Sequence, residues 1–315
     1  MVCRLSIVMP LYGKASYTNR YINYFSTEAP NTIKLLLFDA DRQLEYSARD
    51  LSGNITVDKV LMDGSPGTFA KSTNEMLSKV DTEFVMMNDN DDFPNFPGIL
   101  KAIELFQSDS SIEWVGGKIG HFFGSALDRT VFLRDKTGRG SRTVREKLTG
   151  RYQQEWYTIF RTSSLIRIFK EMIQSSPVEW KHPEIFQSLY CSLLHGKYSE
   201  EYIYFRQIFV RSSSDSLNKK AGLHEDFVRN TVEAICTNGG GSQDRAEIER
   251  LLKGWLAQYN DRRKMYVKLF LEGVLFHLGI LKFLDRKLAG HSESLEMEFL
   301  RASQLIGKYC ASVKT

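Results

Sequence analysis

The sequence predicts an α/β protein built on a mostly parallel sheet with helices on both faces. Short apolar runs alternate with segments of helical periodicity between residues 5 and 107. These runs contain few polar residues, which is typical of strands that helices cover on both faces. A chain of 315 residues with 42% hydrophobic side chains can also bury a substantial core.

The predicted elements follow one another regularly along the first third of the chain. The apolar runs end in turn-forming or acidic residues, and helical segments follow three of them. The predicted strands are Leu5–Met9, Ile33–Phe38, Ile55–Met62 and Phe84–Met87, and the predicted helices are Ser16–Phe25, Phe69–Val80 and Gly98–Gln107.

The pattern weakens further along the chain. Residues 124–150 are rich in arginine and lysine and have almost no apolar periodicity, so we expect a mobile basic loop there. Strands are predicted at Glu113–Gly116 and Tyr202–Val210, and helices at Tyr157–Phe169 and Pro183–Leu194.

A glycine-rich segment, CTNGGGSQD at 236–244, is the best candidate for a linker. It divides an α/β domain at 1–235 from a C-terminal region at 245–315, whose pattern is helical to the end. Within that region, residues 262–288 are the most apolar long segment and have basic residues at both ends. Two interpretations stay open: a core or oligomer-forming helix, or an interfacial helix that contacts an anionic membrane peripherally.

The composition narrows the class of protein. The net charge of +4 is too small to indicate a nucleic-acid partner by itself. The four cysteines lie far apart without metal-ligand spacing, so we expect a reducing, cytoplasmic compartment rather than a disulfide framework or zinc site. The apolar stretch at the N-terminus is too short for a secretion signal, and we interpret it as the first strand.

The segment FVMMNDNDDF, residues 84–93, carries the strongest functional signal. A buried strand runs directly into Asp89, Asp91 and Asp92, whose charges repel one another unless a cation lies between them. The carboxyl ends of strands are also where open α/β sheets bind ligands. The acids are therefore expected at a ligand-binding edge of the sheet.

Three interpretations of these acids compete. A polar turn or helix cap is the commonest use of such residues. A calcium loop would need glycine at its sixth position, where this chain has Pro94. A Mg²⁺ or Mn²⁺ site needs only one or two carboxylates together with substrate phosphates. Two neighbouring predicted strands also end in candidate ligand groups, PLYG and DAD, which favours the metal site.

Five segments resemble, in order and spacing, those of the inverting family 2 glycosyltransferases of GT-A fold. The resemblance extends over roughly two thirds of the chain. It implies a GT-A domain at 1–235, with a nucleotide-sugar-binding half at 1–120 and an acceptor half at 121–235. The segments are LSIVMPLY (5–12), FDADR (38–42), GTFAKSTNEML (67–77), MNDNDD (87–92) and HPEIFQSLYCSLLHGKYSEEYIYFRQ (182–207).

The resemblance also implies roles for individual residues. Asp91 would ligate Mn²⁺ or Mg²⁺ between two phosphates, Asp89 would approach the ribose and the metal, and Asp92 would support the sugar or the metal's water shell. The remaining nucleotide contacts would come from Pro10, Leu11 and Tyr12 beside the base, Asp39 hydrogen-bonded to the base, and Lys71 near the diphosphate or base. Tyr12 has an alternative role as a packed surface aromatic residue, and Lys71 as a solvated helix charge.

Glu184 is the candidate general base, because it begins the helix that resembles the family's catalytic acidic segment. The family usually has two adjacent acids there, whereas Ile185 follows Glu184 in this chain. The adjacent acids Glu225 and Asp226 are the alternative. Glu184 could also be a first-turn acid that the helix dipole favours.

The expected function is non-processive, metal-dependent hexosyl transfer with inversion, with a UDP-sugar as the expected donor. The acceptor would be a hydroxyl of a glycan or a lipid-linked sugar, as in bacterial surface polysaccharide assembly at the inner face of the membrane. The alternatives are a catalytically silent GT-A-like binding or scaffold protein and, ranked lower, a sugar nucleotidyltransferase. The sequence is also compatible with a homo-oligomer.

Overall fold

The structure is a computed structural model that describes most of the α/β region and part of the C-terminal region. It describes residues 4–11, 15–39, 53–59, 68–125, 128–135, 143–149, 155–175, 182–207, 225–238, 244–259, 301, 304–306 and 308–309.

The N-terminal half of the sheet is parallel, as the sequence predicts. Strand β1 (Leu5–Leu11) lies between β2 (Ile33–Asp39) and β4 (Phe84–Met87), and β3 (Ile55–Lys59) lies beside β2. All four residues of β4 are buried, which explains why this strand has no polar alternation.

Three helices of this half lie where the sequence predicts them. They are α1 (Ala15–Glu28), α2 (Thr68–Ser78) and α3 (Phe96–Ser108). In α3, Gly98 lies against the strand that contains Tyr202, since a Cβ atom at this position would be 2.0 Å from the Tyr202 carbonyl oxygen. Only glycine allows the helix to approach the sheet this closely.

The second half of the sheet is mixed. Its strands are β5 (Phe93–Pro94), β6 (Trp114–Ser125), β7 (Asp128–Asp135), β8 (Ile159–Arg161) and β9 (Gly196–Gln207). The strand order is β3-β2-β1-β4-β8-β6-β9-β5, with β7 paired to β6. Strand β8 is antiparallel to both β4 and β6, whereas β6 and β9 are parallel. The α/β fold class is therefore confirmed, with parallel pairing concentrated in the first half.

The remaining helices cover the second half of the sheet and extend beyond it. They are α4 (Val144–Thr149), α5 (Thr162–Ser175), α6 (His182–Tyr190) with a 3₁₀ turn at Cys191–Leu193, α7 (Glu225–Asn238) and α8 (Arg245–Tyr259). Helix α5 packs against α2, α6 and α7, and α8 packs against α7 and α4.

Two sequence-based predictions were wrong in this half. Residues 124–150 contain β7 and α4 rather than one continuous loop, because the run TVFL at 130–133 forms a strand that pairs with β6. Arg129 and Arg134 flank this short run, so the sequence around it has no apolar periodicity that would indicate a strand. The predicted helix at Tyr157–Phe169 begins only at Thr162, because Ile159 and Phe160 are drawn into the sheet between β4 and β6. Tertiary pairing overrides local propensity in both cases.

Residues 236–238 of the predicted linker belong to α7, and the Asp244 side chain caps α8 by accepting from the backbone N–H of Ala246. Residues 239–243 lie outside the described residues. Strand β6 crosses the predicted division at 120/121. The apolar segment 262–288 lies outside the described residues. Within the described part of the chain, no helix is long and apolar enough to cross a membrane.

Candidate functional site

The acids that follow β4 form a turn at the carboxyl edge of the parallel strands. We call Asn88–Asp92 the acidic turn. Its first residue is still attached to the sheet, since the backbone N–H of Asn88 donates to the Val8 carbonyl oxygen at 2.9 Å. The turn therefore leaves the sheet beside the end of β1, where bound ligands are expected in this class of fold.

The two asparagines of the acidic turn bind helix α1. The Asn88 amide donates to the Tyr21 hydroxyl at 2.6 Å, and the Asn90 amide donates to the Thr18 hydroxyl at 2.9 Å. The alternation of asparagine and aspartate thus has a structural explanation. The amides fix the turn to the helix, while Asp89 and Asp91 stay half-buried.

Asp92 is buried and anchors the turn to β9. Its Oδ1 accepts the backbone N–H of Gln207 at 2.6 Å. Its Oδ2 accepts the hydroxyls of Tyr157, at 3.0 Å, and Tyr204. The two tyrosine rings stack with their centroids 3.8 Å apart. Because protein donors occupy both carboxylate oxygens, Asp92 fits the role of a structural anchor better than that of a metal ligand.

Asp89 shares one of these tyrosines, since the Tyr157 hydroxyl also donates to its Oδ2 at 2.6 Å. Burial, followed by the charges of Asp89 and Asp92, raises the pKa of Tyr157 well above its usual value, so the phenol keeps its proton and acts as a donor. Burial and the neighbouring Asp91 likewise raise the pKa of Asp92, while Arg206 opposes that rise. Burial is the larger cause of both pKa shifts, and the neighbouring carboxylates add to it.

Arg206 and Glu184 are two further charged residues that interact electrostatically with the residues around the acidic turn. Burial would lower the pKa of Arg206, but Tyr157, Asp92 and Glu184 raise it above its usual value, so the guanidinium stays charged. Glu184 lies half-buried in the first turn of α6. The structure therefore brings Glu184 within electrostatic reach of the residues that hold the acidic turn.

The alternative acidic pair has a different environment. Glu225 and Asp226 are both exposed at the start of α7. Asp226 pairs with Arg229 one turn along the helix. Glu249 and, more weakly, Glu225 raise the pKa of Lys253 on α8. These described contacts belong to the surface of α7 and α8.

The predicted nucleotide-contacting residues are only partly described. Pro10 and Leu11 end β1 beside Phe38 and Asp39 of β2, as expected from the parallel sheet. Leu11 is 3% exposed, so its side chain is buried rather than open to a nucleotide. Lys71 is exposed on α2. Tyr12 and the side chain of Asp39 lie outside the described residues.

The acidic turn has a donor set that suits a divalent cation. One carboxylate oxygen from each of Asp89, Asp91 and Asp92 lies within 4.8 Å of the others. Asp89 and Asp91 are accessible, and two carboxylates leave coordination positions for phosphate oxygens and water. This arrangement fits Mg²⁺ or Mn²⁺ better than an all-protein calcium cage.

Several residues of the site escaped prediction from sequence. Tyr157 lies in a segment with helical periodicity, and Gln207 is 115 residues from the Asp92 that it contacts. Tyr21 belongs to the apolar pattern of α1, and Thr18 is a polar residue within that predicted helix. Only the alternating Asn88 and Asn90 gave a local signal, since an asparagine between acids adds a donor to a set of acceptors.

Comparison with known proteins finds likeness in structure only. No protein-family model and no curated sequence matches the chain. A fragment of S. aureus TarS solved with UDP-GlcNAc matches with a TM-score of 0.54 at 15% identity, covering 98% of this chain and 90% of that chain. The fragment solved with UDP gives a TM-score of 0.52 at 17% identity with the same coverage. A longer TarS chain gives 0.52 at 18% identity, covering 82% of this chain but only 44% of the TarS chain.

At these identities, the likeness shows the fold alone. The chain shares the GT-A-like α/β fold of these TarS structures, as the sequence predicts.

Proposed function

We propose that the protein is a metal-dependent glycosyltransferase of the inverting family 2 type that uses a nucleotide-sugar donor. The observation that carries the proposal is the acidic turn, in which Asp89 and Asp91 stay accessible while Asp92 anchors them at the carboxyl edge of the sheet. The fold supports it, since TarS, which has a similar fold, has been solved with UDP and with UDP-GlcNAc. A UDP-sugar is therefore the proposed donor.

Asp91 and Asp89 would hold Mn²⁺ or Mg²⁺ in this proposal. The bound ion would supply a Lewis acid that stabilises the charge of the departing diphosphate. The protein's own contribution is to orient the two carboxylates. Tyr157 fixes Asp89 through its hydroxyl, and Asp92 fixes the end of the turn against β9.

Glu184 is the proposed base. The acceptor hydroxyl oxygen would attack the anomeric carbon while the bond from that carbon to the diphosphate oxygen breaks, and Glu184 would take the hydroxyl proton. Attack opposite the leaving group inverts the configuration at the anomeric carbon. The electrostatic interaction of Glu184 with Tyr157 and Arg206 supports its assignment to this site rather than to the surface.

The structure describes only part of the remaining regions to which we assign roles. Pro10, Leu11, Tyr12 and Asp39 would bind the base, and Lys71 would contact the nucleotide. Residues 1–235 would form the GT-A domain, with the acceptor half at 121–235. The acceptor would be a glycan or lipid-linked sugar, and 262–288 would provide membrane or oligomer contacts.

Calorimetric titration with UDP, GDP, CDP and ADP, with and without Mn²⁺, tests the proposal. We expect UDP to bind only when Mn²⁺ is present, because the carboxylates alone repel the diphosphate. Tight binding of UDP without metal, or no nucleotide binding at all, would contradict it.

One observation favours a second candidate, a nucleotide-binding protein without transferase activity. The family resemblance implies two adjacent acids, but Ile185 follows Glu184 and is 1% exposed in the core. Turnover distinguishes the two functions. A silent protein would bind UDP with Mn²⁺ yet release no UDP from UDP-sugars, even with acceptors present.

A further inference from the structure

Arg20, on helix α1, is a charged residue in an unusual place. It is 3% exposed, and its guanidinium carbon lies 4.8 Å from the ring centroid of Tyr17 and 4.7 Å from that of Phe93. Burying a guanidinium is costly unless hydrogen bonds and nearby charges compensate. Stacking between two aromatic rings fixes the plane of the group and thereby the direction of its donors.

These donors join the acidic turn to the end of β9. The Nη2 atom of Arg20 donates to the backbone carbonyl oxygen of Asp91 at 2.6 Å. The Nη1 atom donates to the Gln207 side-chain oxygen at 3.1 Å. The backbone N–H of Gln207 in turn donates to Asp92. A closed set of hydrogen bonds thus connects α1, the turn and β9.

The hydrogen bond to the backbone of Asp91 has a specific consequence. It fixes the peptide that carries the side chain without occupying a carboxylate oxygen. This favours an Asp91 side chain that is already oriented before a cation arrives.

We propose that Arg20 is a positioning residue that holds Asp91 in its metal-binding orientation. This inference rests on the proposed function, because it assigns Asp91 a cation to bind. Residues that orient metal ligands affect affinity strongly, and their loss typically weakens metal binding about 10- to 100-fold.

The substitution Arg20→Met tests the proposal. Methionine keeps an unbranched side chain that can pack between Tyr17 and Phe93 but has no donors. We expect the dissociation constant for Mn²⁺, measured by electron paramagnetic resonance at saturating UDP, to rise about 10-fold or more. Arg20→Lys should give an intermediate value, because one ammonium group cannot reproduce both donors of the planar fork.

Arg161 provides a matched control. Its guanidinium also lies over two rings, 5.6 Å from Phe84 and 5.4 Å from Phe106, and its Nε donates to the Ile112 carbonyl oxygen at 2.8 Å. Arg161→Met therefore removes comparable stacking and hydrogen bonding away from the turn. We expect it to lower the melting temperature while the affinity for Mn²⁺ stays at the wild-type value.

Two results would overturn the inference: Arg20→Met binds Mn²⁺ as tightly as the wild type, or Arg161→Met weakens binding equally. Failure of the proposed function has a different signature, since the wild type itself would then bind no Mn²⁺ with UDP. In that case Asp91 loses its role as a ligand. Hydrogen exchange of residues 84–95 would still decide whether Arg20 holds the turn, with faster exchange expected in Arg20→Met only.

Discussion

Two charged clusters among the described residues differ in composition. In the first, which we call the balanced cluster, Lys147 Nζ lies 2.6 Å from Glu155 Oε1, and both side chains are buried. One cation pairs with one anion. The second is the acidic turn, where one carboxylate oxygen from each of Asp89, Asp91 and Asp92 lies within 4.8 Å of the others.

The balanced cluster has a structural role. Lys147, on α4, also donates to the Ser188 carbonyl oxygen of α6 at 2.5 Å, and Tyr198 of β9 donates to Glu155 at 3.1 Å. The pair thus joins two helices and a strand and leaves no net charge to attract a ligand. The acidic turn is also fixed by hydrogen bonds, but it brings three carboxylates together. We infer that a fixed group of carboxylates, rather than burial alone, distinguishes the proposed metal site from the structural ion pair.

The largest expected effect comes from Glu184→Gln. Because the amide cannot accept the acceptor proton, turnover should fall about 10²- to 10⁴-fold, while UDP binding with Mn²⁺ stays unchanged. Steady-state release of UDP from a UDP-sugar measures this. Glu225→Gln and Asp226→Asn are the matched controls and should keep wild-type turnover. If instead Glu184→Gln kept its turnover and Glu225→Gln or Asp226→Asn lost it, the base would be one of the exposed acids on α7.

Lys147→Met should produce the next largest effect, and it concerns stability. Leaving Glu155 buried without its cation should lower the free energy of unfolding by about 3–5 kcal/mol, as measured by urea denaturation. The double substitution Lys147→Met/Glu155→Leu should recover much of this loss, because no buried charge remains. If Lys147→Met stayed stable but lost Mn²⁺ binding, the division between a structural cluster and a metal-binding turn would be wrong.

Tyr157→Phe and Tyr198→Phe compare the clusters with the smallest change. Tyr157→Phe removes a hydroxyl that contacts both Asp89 and Asp92, and Tyr198→Phe removes one that donates to Glu155. Each should cost about 1–3 kcal/mol of stability. Only Tyr157→Phe should also weaken Mn²⁺ binding, by about 10-fold, because it releases Asp89. Equal Mn²⁺ affinities in both variants would remove Tyr157 from the site.

The parallel half of the sheet was predictable because each strand carries its own signal. Leu5–Leu11 is mostly apolar and Phe84–Met87 is entirely apolar, so the burial of both strands follows from composition. Strands β5 and β8, with two and three residues, exist only through pairing with distant segments. A local pattern cannot indicate such pairing.

The residues of the site also divide into some that the sequence indicates and others that it does not. Asp89 and Asp91 were predictable because an apolar run that ends in acids is visible within ten residues of sequence. The anchors were not, since Tyr157, Tyr204 and Gln207 are 65, 112 and 115 residues from Asp92. Their contacts depend on how β8 and β9 enter the sheet. The sequence therefore indicated the ligands but not the residues that orient them.

The proposal that the acidic turn binds a cation is tested most directly by counting bound Mn²⁺. Electron paramagnetic resonance at saturating UDP should find about one Mn²⁺ per wild-type chain and none per Asp91→Asn chain. Asp81→Asn is the control, since Asp81 is an exposed aspartate 2.7 Å from Lys34, and it should bind as the wild type does. Absence of Mn²⁺ from the wild type, or equal binding by Asp91→Asn, would contradict the claim.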